Sequence, residues 1–138
     1  IISPGVDMYD DGRCIIRTFD GREFQKTITK VKVRDLLSYF EGQRLFSITR
    51  NSIEQSIHRL LQPTTNVLAD GSMNISLPGR AMICDAGSTE LWARSGTNIF
   101  TICRDALYFE AGQYPQVLEL QVLTNCVHKI YKTIGESL

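Results

Sequence analysis

A set of basic side chains near the start of the sequence is the strongest candidate for a binding site. A guanidinium group pairs bidentately with a carboxylate or phosphate, so cations that share one face could bind an acidic or phosphorylated segment of a partner protein. A solvated sheet face without a ligand is the alternative interpretation, and nearby acidic residues such as Asp7, Asp20 and Glu23 would dilute the positive charge. The candidates lie in the first third of the chain: Arg13, Arg17, Arg22, Lys26, Lys30, Lys32 and Arg34.

The single tryptophan, Trp92, is the second candidate for recognition chemistry. It lies beside Leu91 in a segment with strand composition, and neighbouring strand residues point to opposite faces. One of the two side chains therefore faces the core. We expect Trp92 to be buried, whereas an outward Trp92 would be an anchor for a partner, because aromatic side chains dominate interface energetics.

Nothing in the sequence predicts catalysis, a metal or a cofactor. His58 and His128 lie on predicted helices without ligand or catalytic partners beside them in the sequence, and no nucleophile or phosphate-loop motif is present. The four cysteines are widely spaced and form no C-x-x-C pair. They indicate buried thiols in a reducing compartment: Cys14, Cys84, Cys103 and Cys126.

The composition is that of an ordinary globular domain. Of 138 residues, 43% are apolar and 22% charged, and the 15 basic residues balance the 15 acidic ones. No net field directs the chain toward nucleic acid or a membrane surface. The first residue is Ile1, and no signal peptide or long apolar run follows, so we expect an intracellular piece of a longer protein.

The chain carries one ordered pattern twice. In each copy an Asp-Gly dipeptide precedes a Gly-Arg dipeptide and then a Phe-x-Ile-x-Arg segment, and a helix-like segment follows. The repeat predicts a first unit over 1–62 and a second over 63–138, which share one core because each is too small to bury enough apolar area alone. The first copy has Asp11-Gly12, Gly21-Arg22 and 46–50, and the second has Asp70-Gly71, Gly79-Arg80 and 100–104.

The elements follow from turn signals and apolar periodicity. Short β-branched runs between turn dipeptides predict antiparallel meanders. Asn51 with Glu54 predicts a capped helix before Pro63, and a second helix starts near Pro115 and stops at Gly135. The predicted strands are 13–19, 27–33, 45–49, 72–77, 81–84, 90–93 and 99–103.

The second unit resembles the polo box of the polo-like kinases, a six-stranded antiparallel sheet crossed by a helix and found as a tandem pair. Residues 68–77 are similar to the family's first hairpin, and 80–84, 90–94 and 99–104 to the strands after it. The helix from Pro115 occupies the place of the family's helix. The fold class expected is therefore α+β, as tandem polo-box-like units, each a meander followed by a helix.

The resemblance implies a non-catalytic region that docks an attached cell-division kinase onto a protein scaffold at a kinetochore, centriole or centrosome. Phosphopeptide-reading members use a tryptophan on the first box and a His-x-Lys pair on the second. Here Arg80 could replace the lysine, nothing replaces the histidine, and the first unit lacks tryptophan. The chain therefore resembles the divergent boxes of centriolar kinases or of kinetoplastid kinetochore kinases.

Two other functions stay open at this point. A heptad-like stripe from Leu120 to Ile134 could pair with a second copy, making the chain a structural homodimerisation domain. The second of these alternatives is an enzyme whose active site is split across loops. The residues expected to bind a partner are Arg80, Trp92, Arg13, Arg17, Lys30 and Lys32.

Overall fold

A computed structural model describes residues 4–18, 20–62, 64–76 and 87–135. The chain is an α+β protein in which the described strand pairs are all antiparallel, as the sequence predicts at this level. In chain order the elements are β1 (Gly5–Met8), β2 (Arg13–Arg17), β3 (Glu23–Thr27), α1 (Lys30–Gly42), a short 3₁₀ helix (Leu45–Ser47), α2 (Arg50–Leu60), β4 (Thr64–Val67), β5 (Met73–Ser76), β6 (Ser88–Ser95), β7 (Asn98–Asp105), α3 (Leu107–Gln113) and α4 (Leu118–Ile134).

The chain divides into two compact units, residues 1–46 with 125–138 and residues 47–124. This grouping differs from the division after residue 62 that the repeat suggests, because the last turns of α4 belong with the N-terminal strands. The described strands form a three-stranded sheet, β1-β2-β3, and two two-stranded sheets, β4-β5 and β6-β7. The described part of the chain thus contains no six-stranded sheet.

The first unit is a three-stranded meander covered by helices. The inward side chains of β2, Cys14 and Ile16, pack with Ile28, Val33 and Ile134 in one cluster. The turn before β2 needs glycine, because Gly12 has φ +93° and a Cβ there would lie 2.0 Å from the backbone oxygen of Ile28. The meander and the end of α4 therefore share a core within this unit.

Two strand predictions for this half of the chain are wrong. Residues 27–33 enter helix α1, since the hydroxyl of Thr29 caps the backbone N–H of Lys32 and the buried residues Val33, Leu36 and Phe40 recur at helical spacing. Residues 45–47 form the 3₁₀ helix. Burial of a helical stripe outweighs the strand propensity of the β-branched residues there.

The second unit begins with α2. Its N-cap is Thr49, which forms a reciprocal capping box with Ser52, rather than the predicted Asn51 with Glu54. The hydroxyl of Thr49 accepts from the backbone N–H of Ser52 at 3.0 Å, and the Ser52 hydroxyl accepts from the backbone N–H of Thr49 at 3.0 Å. Glu54 is not part of this cap, and its carboxylate pairs with Arg104 instead.

The predicted C-terminal helix is α4, and α3 is an additional helix that the sequence did not predict. Pro115 lies between α3 and α4 and starts neither of them. Helix α4 ends at Ile134, and Gly135, at φ +76°, follows it in the left-handed conformation as predicted. Four residues of its apolar stripe are buried, namely Leu120, Leu123, Val127 and Ile134. The stripe therefore packs within the fold.

Candidate functional site

The outer face of the β6-β7 hairpin is the candidate site. Side chains alternate between the two faces along both strands, and the buried inward residues are Leu91, Ala93, Phe100, Ile102 and Arg104. The outward positions carry two large apolar groups, Trp92 at 59% exposure and Ile99 at 61%. A rigid hairpin thus presents an aromatic and an aliphatic side chain to solvent.

The strand register places the outward side chains relative to one another. Trp92 lies directly opposite Thr101, and Arg94 lies opposite Ile99. Trp92 and Ile99 are therefore diagonal neighbours. The Cα atoms of such a pair lie roughly 7–8 Å apart, a distance that an aromatic side chain can span. Glu90 and Arg94 lie two residues to either side of Trp92 on the same face. The arrangement is an apolar centre flanked by one negative and one positive group.

The expectation that Trp92 is buried is wrong. Leu91 takes the inward position at 4% exposure, and the two-residue period of the strand then forces Trp92 outward. Sequence reasoning missed Ile99 as a site residue. Alternation along 99–103 could have identified it, because Phe100 and Ile102 form the inward pair on that strand.

A buried ion cluster supports the inner side of the hairpin. The Arg104 Nε donates to Glu110 Oε1 at 2.6 Å, and its Nη2 lies 2.8 Å from Glu54 Oε1. Burial alone would lower the pKa of Arg104, but the hydrogen bonds to Glu110 and Glu54 raise it above its ordinary value. The cluster links β7 to α2 and α3, so the hairpin is held by charge as well as by apolar packing.

The predicted basic residues do not form one patch. Arg17 pairs with Asp7 at 2.9 Å, and the guanidinium of Arg13 stacks 4.4 Å from the centre of the Tyr9 ring. Lys30 and Lys32 lie on the first turn of α1 rather than on a strand. Arg80 lies outside the described residues. Arg13 and Arg17 are therefore engaged locally, and Lys32 lines a cavity with Lys26 and Lys132.

The described cysteines divide into two buried thiols and one exposed thiol. Cys14 and Cys126 are buried, and burial raises the pKa of the Cys126 thiol to about 12. Cys103 is exposed, against expectation, because it occupies an outward position of β7 opposite Glu90. Cys84 lies outside the described residues. An exposed thiol is thus placed on the same face as Trp92.

The β4-β5 hairpin exposes a second apolar pair. Val67 and Met73 are direct register partners, at 71% and 66% exposure. Neither is aromatic, so this pair lacks the kind of anchor that Trp92 supplies. This pair therefore serves as the control for Trp92 and Ile99, because it lies in the same unit.

Among the described residues, no group of three or more His, Cys, Asp or Glu side chains could hold a metal ion. No described helix is long and apolar enough to cross a membrane. No family model, curated protein or solved structure matches the chain.

Proposed function

We propose that this chain is a non-catalytic protein-binding module and that a partner docks on the outer face of the β6-β7 hairpin. The observation that carries the proposal is Trp92, a large aromatic side chain held 59% exposed on a paired strand. Tryptophan is the residue most enriched among interface hot spots. Strand pairing fixes its backbone, and its side chain has only two rotatable bonds, so little conformational freedom is lost when a partner covers it.

The size of the face favours a short segment of a partner. Each strand has 8 residues, which at roughly 3.3 Å per residue gives a length of about 26 Å. With a width of roughly 10 Å the face offers on the order of 250 Å², whereas a stable domain interface buries about 800 Å² per partner. An extended segment or a short helix fits this face. A second copy of the chain, the homodimer alternative, needs more surface than this face supplies.

The flanking charges suggest how such a segment is oriented. Glu90 and Arg94 lie on opposite sides of Trp92 along the strand. A segment with a central apolar anchor, a cation at one end and a carboxylate at the other would match both. Because these rim charges are exposed, they select orientation and contribute little affinity.

The targeting role is part of the same proposal. The resemblance of 68–104 to a polo box supports a tandem, divergent polo-box-like module that brings a cell-division kinase to a kinetochore, centriole or centrosome scaffold. The two hairpins of the second unit and the helix after β7 support the likeness. Helix α1, where the first unit was expected to form a strand, departs from it.

A selection of displayed peptides against the chain tests the binding face. Because Trp92 is the single tryptophan, its fluorescence reports directly on a ligand that covers it. We expect selected peptides to shift its emission to the blue. Because Trp92→Ala lacks that reporter, its binding is followed with a labelled peptide and should be about 30-fold weaker, which corresponds to a hot-spot loss of roughly 2 kcal/mol.

Met73→Ala is the matched control, since it removes an exposed apolar side chain from the other hairpin of the same unit. Peptides that lose affinity with Met73→Ala and keep it with Trp92→Ala would place docking on the β4-β5 hairpin instead. For the targeting role, the full-length protein with Trp92→Ala should lose its focal localisation in dividing cells. Unchanged focal localisation of that variant would contradict targeting through this face.

A further inference from the structure

The aromatic ring of Trp92 differs from two tyrosine rings of the first unit in what lies over it. The guanidinium of Arg13 lies 4.4 Å from the centre of the Tyr9 ring, and the ammonium of Lys129 lies 5.2 Å from that of Tyr39. Among the described residues, no cation lies over Trp92. An indole ring attracts a cation more strongly than a phenol ring does. The ring best suited to a cation thus carries none from the described part of the chain.

The nearest cation in sequence, Arg94, is directed toward the hairpin turn. It lies two residues after Trp92 on the same outer face of β6. Its Nε donates to the backbone oxygen of Gly96 at 3.2 Å. Gly96, at φ +61°, is part of the two-residue turn between β6 and β7. The hydrogen bond therefore holds the positive charge of Arg94 toward the turn end of the hairpin.

The other end of the same face carries two exposed carboxylates. Glu90 lies two residues before Trp92 on β6, and Asp105, on β7, is the register partner of Ser88. Because Glu90 is paired with Cys103, Asp105 is its diagonal neighbour, at a Cα distance of roughly 7–8 Å. Neither carboxylate forms an ion pair with another described residue. The outer face is thus negative at the open end of the hairpin and positive at its turn.

We propose that the Trp92 ring and the Glu90 carboxylate together bind the guanidinium group of an arginine in the docked segment. This arginine site rests on the proposed docking function of the same face. A guanidinium is planar, so it can stack on an indole ring while its N–H edge donates to a carboxylate. Asp105 adds negative charge at that end, and Arg94 repels a cation at the other.

The position of Ile99 orients the segment along the hairpin. Ile99 is the register partner of Arg94, so the apolar part of the face extends toward the turn and the carboxylates lie toward the open end. The segment therefore places an apolar side chain against Ile99 and an arginine on the Glu90 side of Trp92. Its charge is opposite to that of the acidic or phosphorylated segment that the basic residues near the start of the sequence suggest.

A displayed library of peptides with a fixed central leucine, selected against the intact chain, tests the arginine site. A length of about seven residues matches the strands. Peptides whose binding weakens about 30-fold with Trp92→Ala dock on this face, and we expect arginine to be enriched among them on one side of the leucine. The matched ligand carries citrulline, which keeps the shape of arginine without its charge. By fluorescence polarisation of labelled peptides, it should bind about tenfold more weakly.

Glu90→Gln separates a specific ion pair from general charge attraction. It should weaken the arginine peptide about fivefold and change the citrulline peptide by less than about twofold, because the pair needs both charges. Asp70→Asn is the matched control, since it removes the same charge from the turn between β4 and β5 in the same unit. An equal loss with Glu90→Gln and Asp70→Asn would mean diffuse attraction and would overturn the arginine site.

Failure of the arginine site and failure of the docking face give different results. Trp92-dependent peptides that are acidic or neutral would overturn the arginine site and leave the docking face in place. A citrulline peptide that binds as tightly as its arginine form would do the same. A selection that yields no Trp92-dependent peptide would overturn both.

Discussion

The outer faces of two antiparallel sheets, β2 in the first unit and β6-β7 in the second, differ in how their side chains are used. On β2 the outward Arg13 and Arg17 are engaged by Tyr9 and Asp7 close by in sequence. On β6-β7 the outward Trp92 and Ile99 are large, apolar and exposed. Both sheets alternate with the same period, so alternation alone does not distinguish a solvated face from a binding face. The chemistry of the outward residues distinguishes them.

The largest expected effect separates the inner from the outer arginine. Arg104→Ala should lower the free energy of unfolding by about 3–5 kcal/mol, because it removes the cation from a buried ion cluster. Arg17→Ala should cost at most about 1 kcal/mol, because its pair with Asp7 is at the surface. Denaturant unfolding of both variants measures the difference. Equal losses of stability would mean that the buried cluster around Arg104 stabilises the fold no more than the surface pair of Arg17 and Asp7 does.

Leu91 and Trp92 are neighbours on β6 and test its two faces separately. Leu91→Ala should cost about 2–5 kcal/mol of stability, since Leu91 is 4% exposed. Trp92→Ala should change stability by no more than about 0.5 kcal/mol while weakening peptide binding about 30-fold. Thermal unfolding and the fluorescence of a labelled peptide give the two readouts. A strongly destabilised Trp92→Ala would contradict the assignment of Trp92 to a free face.

Thiol reactivity tests the same alternation chemically. In a Cys84→Ala background, Cys103 should react with a maleimide in the folded state, because it is exposed. Cys126 should react only on unfolding, because burial raises its pKa to about 12. Mass spectrometry of digested protein after timed labelling identifies the modified thiol. Labelled Cys103 should also block peptide binding, since it lies on the Trp92 face, and undisturbed binding would move the docking site elsewhere.

The smallest effect is expected at the turns, which behave alike in the two units. The pKa of Asp20 is lowered chiefly by its hydrogen bond with Thr18, and that of Asp70 by its hydrogen bonds with Ser72. A carboxyl group with a lowered folded-state pKa stabilises the fold above its ordinary pKa of 3.8. That contribution disappears as the pH falls through the folded-state value.

Carboxyl ¹³C shifts followed from pH 6 to about pH 2 measure both titrations. Asp70→Asn should remove the Asp70 titration and leave that of Asp20 unchanged, because the two turns belong to different units. Titration of either carboxyl group at or above the ordinary value would contradict its hydrogen bonding in the turn.

Local signals in the sequence predicted the elements they govern. Asp-Gly dipeptides and alternating β-branched runs predicted β2, β5, β6 and β7, with shifts of a few residues at their ends. They failed at 27–33, where the β-branched residues are consistent with a strand. The helical spacing of Val33, Leu36 and Phe40 becomes decisive only when a core lies beneath it. Propensity is a weak signal when burial competes with it.

Turn chemistry and side-chain period act over a few residues, so the sequence alone was enough to predict an α+β protein of antiparallel hairpins and amphipathic helices. Packing between elements sets which face of β6 is buried. It also brings carboxylates from α2 and α3 to Arg104 and places Lys26, Lys32 and Lys132 around one cavity. Glu54 lies 50 residues before Arg104, and Lys132 lies 100 residues after Lys32. Their proximity depends on packing between elements, which no local pattern specifies.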